Sequence, residues 1–187
     1  MPKFLGHLSV HKNGGWHSQW ARLHRWYDRL KNPGLRKPQP SSEETCDFAI
    51  AFFQTCYHLR DYLKADGIEE TKLAELFKGS VALELCRDIC NGTKHCNLNC
   101  ASVDAHFAIG REYVPKGIPY SQYANNEAWF VIAGEKKYDL LELAQDCLAA
   151  WAGFLNCEGL IPRQGAVRQG TASAVPQKER EESGFSR

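Results

Sequence analysis

The sequence predicts a mainly α domain of about four helices in a bundle, with a β-hairpin or small antiparallel sheet inserted before the last helix. Three observations predict it. Apolar residues recur at spacings of three and four over three long stretches, the pattern turns to alternation near residues 101–133, and the helical period returns from Asp139. With 187 residues, one core of ordinary domain size is available and a second is not expected. The expected organisation is a flexible N-terminus over 1–15, a single helical domain over 16–160 with its hairpin near 101–133, and a disordered tail over 161–187, where large apolar residues are scarce.

The first helix spans about Trp16–Lys31, with Trp16, Trp20, Leu23, Tyr27 and Leu30 on one stripe. Pro33-Gly34 stops it, and a proline-containing loop leads to Pro40. Ser41-Ser42-Glu43-Glu44 is a helix-start signal, because a serine caps free amides and acids suit the first turn. The second helix runs from there to about Lys64 and buries Phe48, Phe52, Cys56, Leu59 and Leu63. The spacing predicts one continuous third helix from near Ile68, through Leu73, Leu76, Phe77, Ala82 and Leu85, to His95, ending at Cys96-Asn97. Residues 101–109 and the neighbourhood of Trp129-Phe130-Val131-Ile132 alternate as strands do, with Pro115, Gly117 and Pro119 between them. The last helix, Asp139–Leu155, carries Leu140, Leu143, Cys147, Ala150 and Phe154 inward. The tryptophans at positions 16, 20, 26, 129 and 151 are expected to fill the core rather than to stack on bases.

A formal net charge of +1 gives no support to a broad nucleic-acid surface, which needs an excess of Lys and Arg. A local basic pocket is compatible with it. The opening MPKFLGHLSVHKNGGW lacks the apolar run of a secretory signal, and no stretch approaches the roughly 20 apolar residues of a membrane span. A cytoplasmic protein with no membrane contact is therefore expected, and its eight cysteines are expected as reduced thiols, metal ligands or core residues rather than disulfides. Cys86, Cys90, His95, Cys96 and Cys100 offer zinc-binding atoms. However, Cys86 and Cys90 fall on the side of the third helix away from His95, and no C-x-x-C pair is present. Core thiols are the expectation there, with no metal and no cofactor.

One helix face gathers chemistry. At about 100° per residue, Arg87, Asp88, Asn91, Lys94 and His95 share an arc of about 120°, while Leu85, Cys86, Ile89, Cys90 and Thr93 lie opposite. A guanidinium and an ammonium suit phosphate oxygens, an imidazole moves protons near neutral pH, and a carboxylate can orient it. On the second helix, Gln54, Thr55, His58, Asp61 and Tyr62 share a polar side, so His58 and Asp61 are candidates to complete a pocket with Arg87 and His95. Gly92 inside this stretch costs about 1 kcal/mol relative to Ala and suggests close backbone approach or helix termination.

The bundle, and the run Arg87-Asp88-Ile89-Cys90-Asn91-Gly92-Thr93-Lys94-His95 near its third helix end, resembles the HEPN superfamily of prokaryotic defence and toxin proteins. The hallmark there is an arginine, a polar residue and then a histidine a few positions on. The resemblance implies a homodimer in which paired motif helices line an RNA-cleaving groove. It also implies metal-independent attack of a ribose 2′-hydroxyl on the adjacent phosphate. Arg87 would stabilise phosphate charge, His95 would transfer a proton or position the phosphate, and Asp88, Asn91 and Lys94 would support them. Seven residues separate Arg87 from His95, a longer interval than is usual in the family. The superfamily also includes non-catalytic members that bind RNA, nucleotides or a regulatory protein, and such an interaction module is the alternative.

Overall fold

The computed structural model describes residues 15–31, 36–95, 101–104, 106–114 and 126–161, with His95 described in its backbone only. The sequence expectations for the first fourteen residues and for the tail beyond 161 lie outside these. Five helices and three strands follow in the order α1 (Gly15–Lys31), α2 (Ser42–Ala65), α3 (Glu70–Lys78), α4 (Val81–His95), β1 (Ala108–Tyr113), β2 (Glu127–Ala133), β3 (Lys136–Asp139) and α5 (Leu140–Cys157). The fold is mainly helical, with a small antiparallel sheet before the last helix, as the sequence predicts.

Helix α1 buries Trp16, Gln19, Leu23 and Leu30 against α2. The one polar member of that set is satisfied, since Gln19 Nε2 donates to the Thr55 carbonyl at 2.9 Å. Helix α2 starts at a capping box: the Glu44 amide donates to Ser41 Oγ at 3.1 Å, and the Ser41 amide donates to the Glu44 carboxylate at 2.8 Å. A cap of this kind contributes about 1 kcal/mol. The predicted third helix is in fact two. Its apolar period survives the interruption, but Gly79 ends α3 with its amide on the Glu75 carbonyl, and the Ser80 hydroxyl accepts the Leu83 amide to begin α4. The short α3 is anchored by Phe77, whose ring meets Tyr57 of α2 and Trp151 of α5 edge-on, each at 5.8 Å between centroids.

Helix α4 runs through Asn91-Gly92 to His95, so those two residues do not terminate it. Residues 101–104 form no strand, and alternation becomes pairing only at Ala108. The sheet order is β1-β2-β3, both pairs antiparallel. Its third strand was not read from the sequence because Lys136-Lys137-Tyr138-Asp139 is short and polar. Asp139 closes β3 opposite Phe130 and also caps α5, accepting the Leu141 and Glu142 amides at 2.8 and 3.0 Å. The sheet meets the bundle through β2, where Val131 and Ala133 are buried. All five tryptophans belong to the core or pack against it.

Gly110 pairs with Phe130 across the sheet, and the Phe130 ring covers it so closely that a Cβ at 110 would stand 2.6 Å from the ring. The aromatic takes the space a side chain would occupy. Gly110→Val is therefore expected to dislodge the ring and destabilise the domain by about 1–3 kcal/mol despite valine's better strand propensity. Urea unfolding checks this, and an unchanged midpoint would show that the ring is not held there.

Candidate functional site

The polar arc of α4 divides once the chain folds. Ile89, Cys86 and Cys90 face inward as the helical period requires, and all are buried. Asp88 is also buried, at 1% exposure, although the sequence reading puts it on the polar arc. A carboxylate withdrawn from water needs donors, and residues 102–103 supply them. Ser102 donates from its amide to Oδ1 at 2.8 Å and to Oδ2 at 3.0 Å, and from its hydroxyl to Oδ1 at 2.8 Å. The Val103 amide donates to Oδ2 at 2.8 Å. Asp88 thus serves as the anchor of the segment that follows α4, and its acceptor sites are committed to that segment rather than to a histidine.

Arg87 takes part from the other side of Ser102, its Nε donating to the same hydroxyl oxygen. A guanidinium carries five N–H donors, so this bond orients the group without exhausting it. Arg87 also lines a cleft of about 310 Å³ between α2, α3 and α4, together with Arg60, Lys64, Lys78, Glu70 and Glu84. Leu73, Ala74 and Phe77 supply apolar lining. Four cations face two carboxylates there. The Lys64–Glu70 pair at 2.5 Å is more than half exposed on both partners, and such a pair contributes about 0–1 kcal/mol, little enough for a bound anion to replace it. Arg60 is held by Asp61 at 3.4 Å and by the Tyr57 hydroxyl at 3.1 Å.

Of the sequence-predicted residues whose side chains are described, Arg87 alone lines this cleft. Asn91 is half-buried and Lys94 exposed, and the side chain of His95 lies outside the described residues. His58 and Asp61 pair with each other, Nδ1 to Oδ2 at 3.0 Å, and the other ring nitrogen of His58 lies 3.8 Å from Cys90 Sγ. They face a different part of α4 from Arg87. Burial pushes the Cys90 thiol up to about 11, so it is a protonated contact for His58 and not a ready nucleophile. Sequence reasoning missed Arg60, Lys64 and Lys78. The four-residue spacing of Arg60 and Lys64 was available as a signal, but the position of Lys78 relative to Arg87 depends on the break at Gly79-Ser80.

The metal-capable group among the described residues is also not the one weighed from sequence. Cys56, Cys86 and Cys147, from α2, α4 and α5, are fully buried with their sulfurs within 4.8 Å of one another. Burial pushes the Cys86 and Cys147 thiols well up. At Cys56 burial acts in the same sense, but the donors around its sulfur outweigh it and push that thiol down. Cys96 and Cys100 lie outside the described residues. Compared with family models, with characterised proteins and with solved structures, the chain matches none.

Removing the Asp88 carboxylate strips two backbone amides and a hydroxyl of their acceptor. Asp88→Ala is expected to cost about 2–3 kcal/mol of stability in urea unfolding, with Asp88→Asn, which keeps one acceptor oxygen, between it and the wild type. A loss within about 0.5 kcal/mol, typical of surface positions, would mean that the anchor is not formed.

Proposed function

We propose that this chain is an RNA-binding domain of the HEPN-like type that acts as a binding module, holding a phosphate and the adjoining base in the cleft beside Arg87. The observation that carries the reading is the composition of that cleft. Arg60, Lys64, Lys78 and Arg87 outnumber Glu70 and Glu84 in its lining and share it with apolar Leu73, Ala74 and Phe77, which suits a ligand that carries both an anionic and an apolar part. The volume is at the low end for small-molecule sites, in keeping with a nucleotide-sized unit. The four cations are local, which reconciles phosphate binding with a chain of net charge +1.

Binding is favoured over cleavage because Asp88, the carboxylate next to Arg87, is committed to residues 102–103. From the resemblance, the proposal extends to a homodimer and a regulatory protein partner in a prokaryotic defence or toxin system, and the cytoplasmic setting expected from the sequence belongs to the same reading. No helix among the described residues is long and apolar enough to cross a membrane.

Fluorescence anisotropy with a labelled mixed-sequence RNA, in EDTA and across a salt series, tests this. Arg87→Ala and Lys78→Ala, each first verified as folded, are expected to weaken binding and to lower the slope of log affinity against log salt by about one. Nucleoside monophosphates should compete. Absence of RNA binding by the wild type, or undiminished binding by both variants, would overturn the proposal. Cleavage of the RNA by the wild type, lost in Arg87→Ala and His95→Ala, would replace the binding module with a nuclease.

A further inference from the structure

The three buried thiols have no place in the cleft and deserve an explanation of their own. Cys56, Cys86 and Cys147 come from three helices and converge at the centre of the core, each at 0% exposure. Buried free cysteines usually act as small hydrophobes, and two of these have weak partners: Cys86 Sγ donates to the Phe53 carbonyl at 3.2 Å and Cys147 Sγ to the Ala82 carbonyl at 3.3 Å. Trp151, one helical turn on from Cys147 in α5, is also at 0% exposure, and its indole N–H has no hydrogen-bond partner.

We propose that Cys56, Cys86 and Cys147 form a three-sulfur binding site for a thiophilic ion that accepts three-fold coordination, with trivalent arsenic as the chemical type. Three requirements select that class. Thiolates are soft ligands and favour soft acceptors. The geometry suits three sulfurs around one centre: about 2.3 Å to each sulfur, with the pyramidal angles of a trivalent centre that keeps its lone pair, sets the sulfurs about 3.5 Å apart, so sulfurs already within 4.8 Å of one another close on the centre by side-chain shifts. Structural zinc takes four ligands, and among the described residues this group supplies three.

Charge decides the oxidation state. The site is enclosed by apolar core, where a net charge is costly. Three thiolates around a divalent ion leave one negative charge, and around a monovalent ion two. A trivalent centre leaves none. Arsenous acid, As(OH)₃, reacts with the three thiols so that three S–H and three As–O bonds break, three As–S bonds form and three waters leave, with no change in oxidation state and no charge buried. Cys86 and Cys147 give up their weak bonds to the Phe53 and Ala82 carbonyls. The bound ion would tie α5 to the α2–α4 pair.

The test uses the full-length, reduced chain with arsenite as the probe. Native mass spectrometry is expected to find one arsenic per chain, and X-ray absorption three sulfurs around it. Cys56→Ala, Cys86→Ala and Cys147→Ala should each lose the three-sulfur species, and the Cys96→Ala/Cys100→Ala double variant should keep it. Should a single variant fail to fold, peptide mapping of the arsenic-loaded wild type decides, with peptides of α2, α4 and α5 expected to be bridged together. Failure to retain arsenic, two-sulfur coordination in the wild type, bridging through Cys96 and Cys100, or persistence of the three-sulfur species in a folded single variant would each overturn the assignment.

Discussion

A carboxylate buried in the middle of a helix constrains everything near it. Asp88 cannot face water from its place on α4, so the chain must return with donors, and it does so fourteen residues later at Ser102. This return organises the passage from bundle to sheet. Ser102 and Val103 are fixed on Asp88. One residue on, Asp104 accepts the Gly134 amide of the β2–β3 turn at 2.6 Å and the His106 amide at 2.8 Å, and these bonds hold its carboxyl below the usual aspartate range. A short irregular segment is thereby pinned to helix α4 at one end and to the sheet at the other.

The same contact sorts the functional groups of α4. Arg87 shares the Ser102 hydroxyl with Asp88, which turns a long, flexible side chain into an oriented one at the wall of the cleft. That lowers the entropy lost when a guanidinium engages a phosphate. On the other side of the helix, Cys86 joins two thiols from neighbouring helices, and Cys90 contacts His58. A single turn of α4 therefore contributes to a structural anchor, to a cationic cleft and to a sulfur cluster, each facing a different partner.

Helix stripes were legible because burial and period coincide: Phe52, Cys56, Leu59 and Leu63 line up on α2, and all are buried. The break in the predicted third helix was harder, since Leu76, Phe77, Ala82 and Leu85 keep an apolar rhythm across Gly79-Ser80 and the pattern carries no record of the serine cap. The burial of Asp88 was not legible at all. Helical periodicity assigns a carboxylate to water, and only the folded chain reveals that residues 102–103 come back to it. The cysteine cluster was hidden for a related reason, because Cys56, Cys86 and Cys147 are each unremarkable members of an inward stripe and their convergence is a property of how three helices pack. Arg87 was singled out with the polar arc of its helix, and the structure places it in the lining of the cleft. Its companions Arg60, Lys64 and Lys78 were not singled out, because they come from two other helices.

Amide hydrogen exchange at Ser102 and Val103 measures the Asp88 anchor most directly. Both residues lie outside helix and strand, and Val103 is 39% exposed, so without the carboxylate their amides would exchange as an open loop does. Slow exchange at both, comparable to the adjoining turns of α4 and lost in Asp88→Ala, is the expected result. Rapid exchange at both amides in the wild-type protein would contradict the anchor and, with it, the orientation of Arg87 toward the cleft.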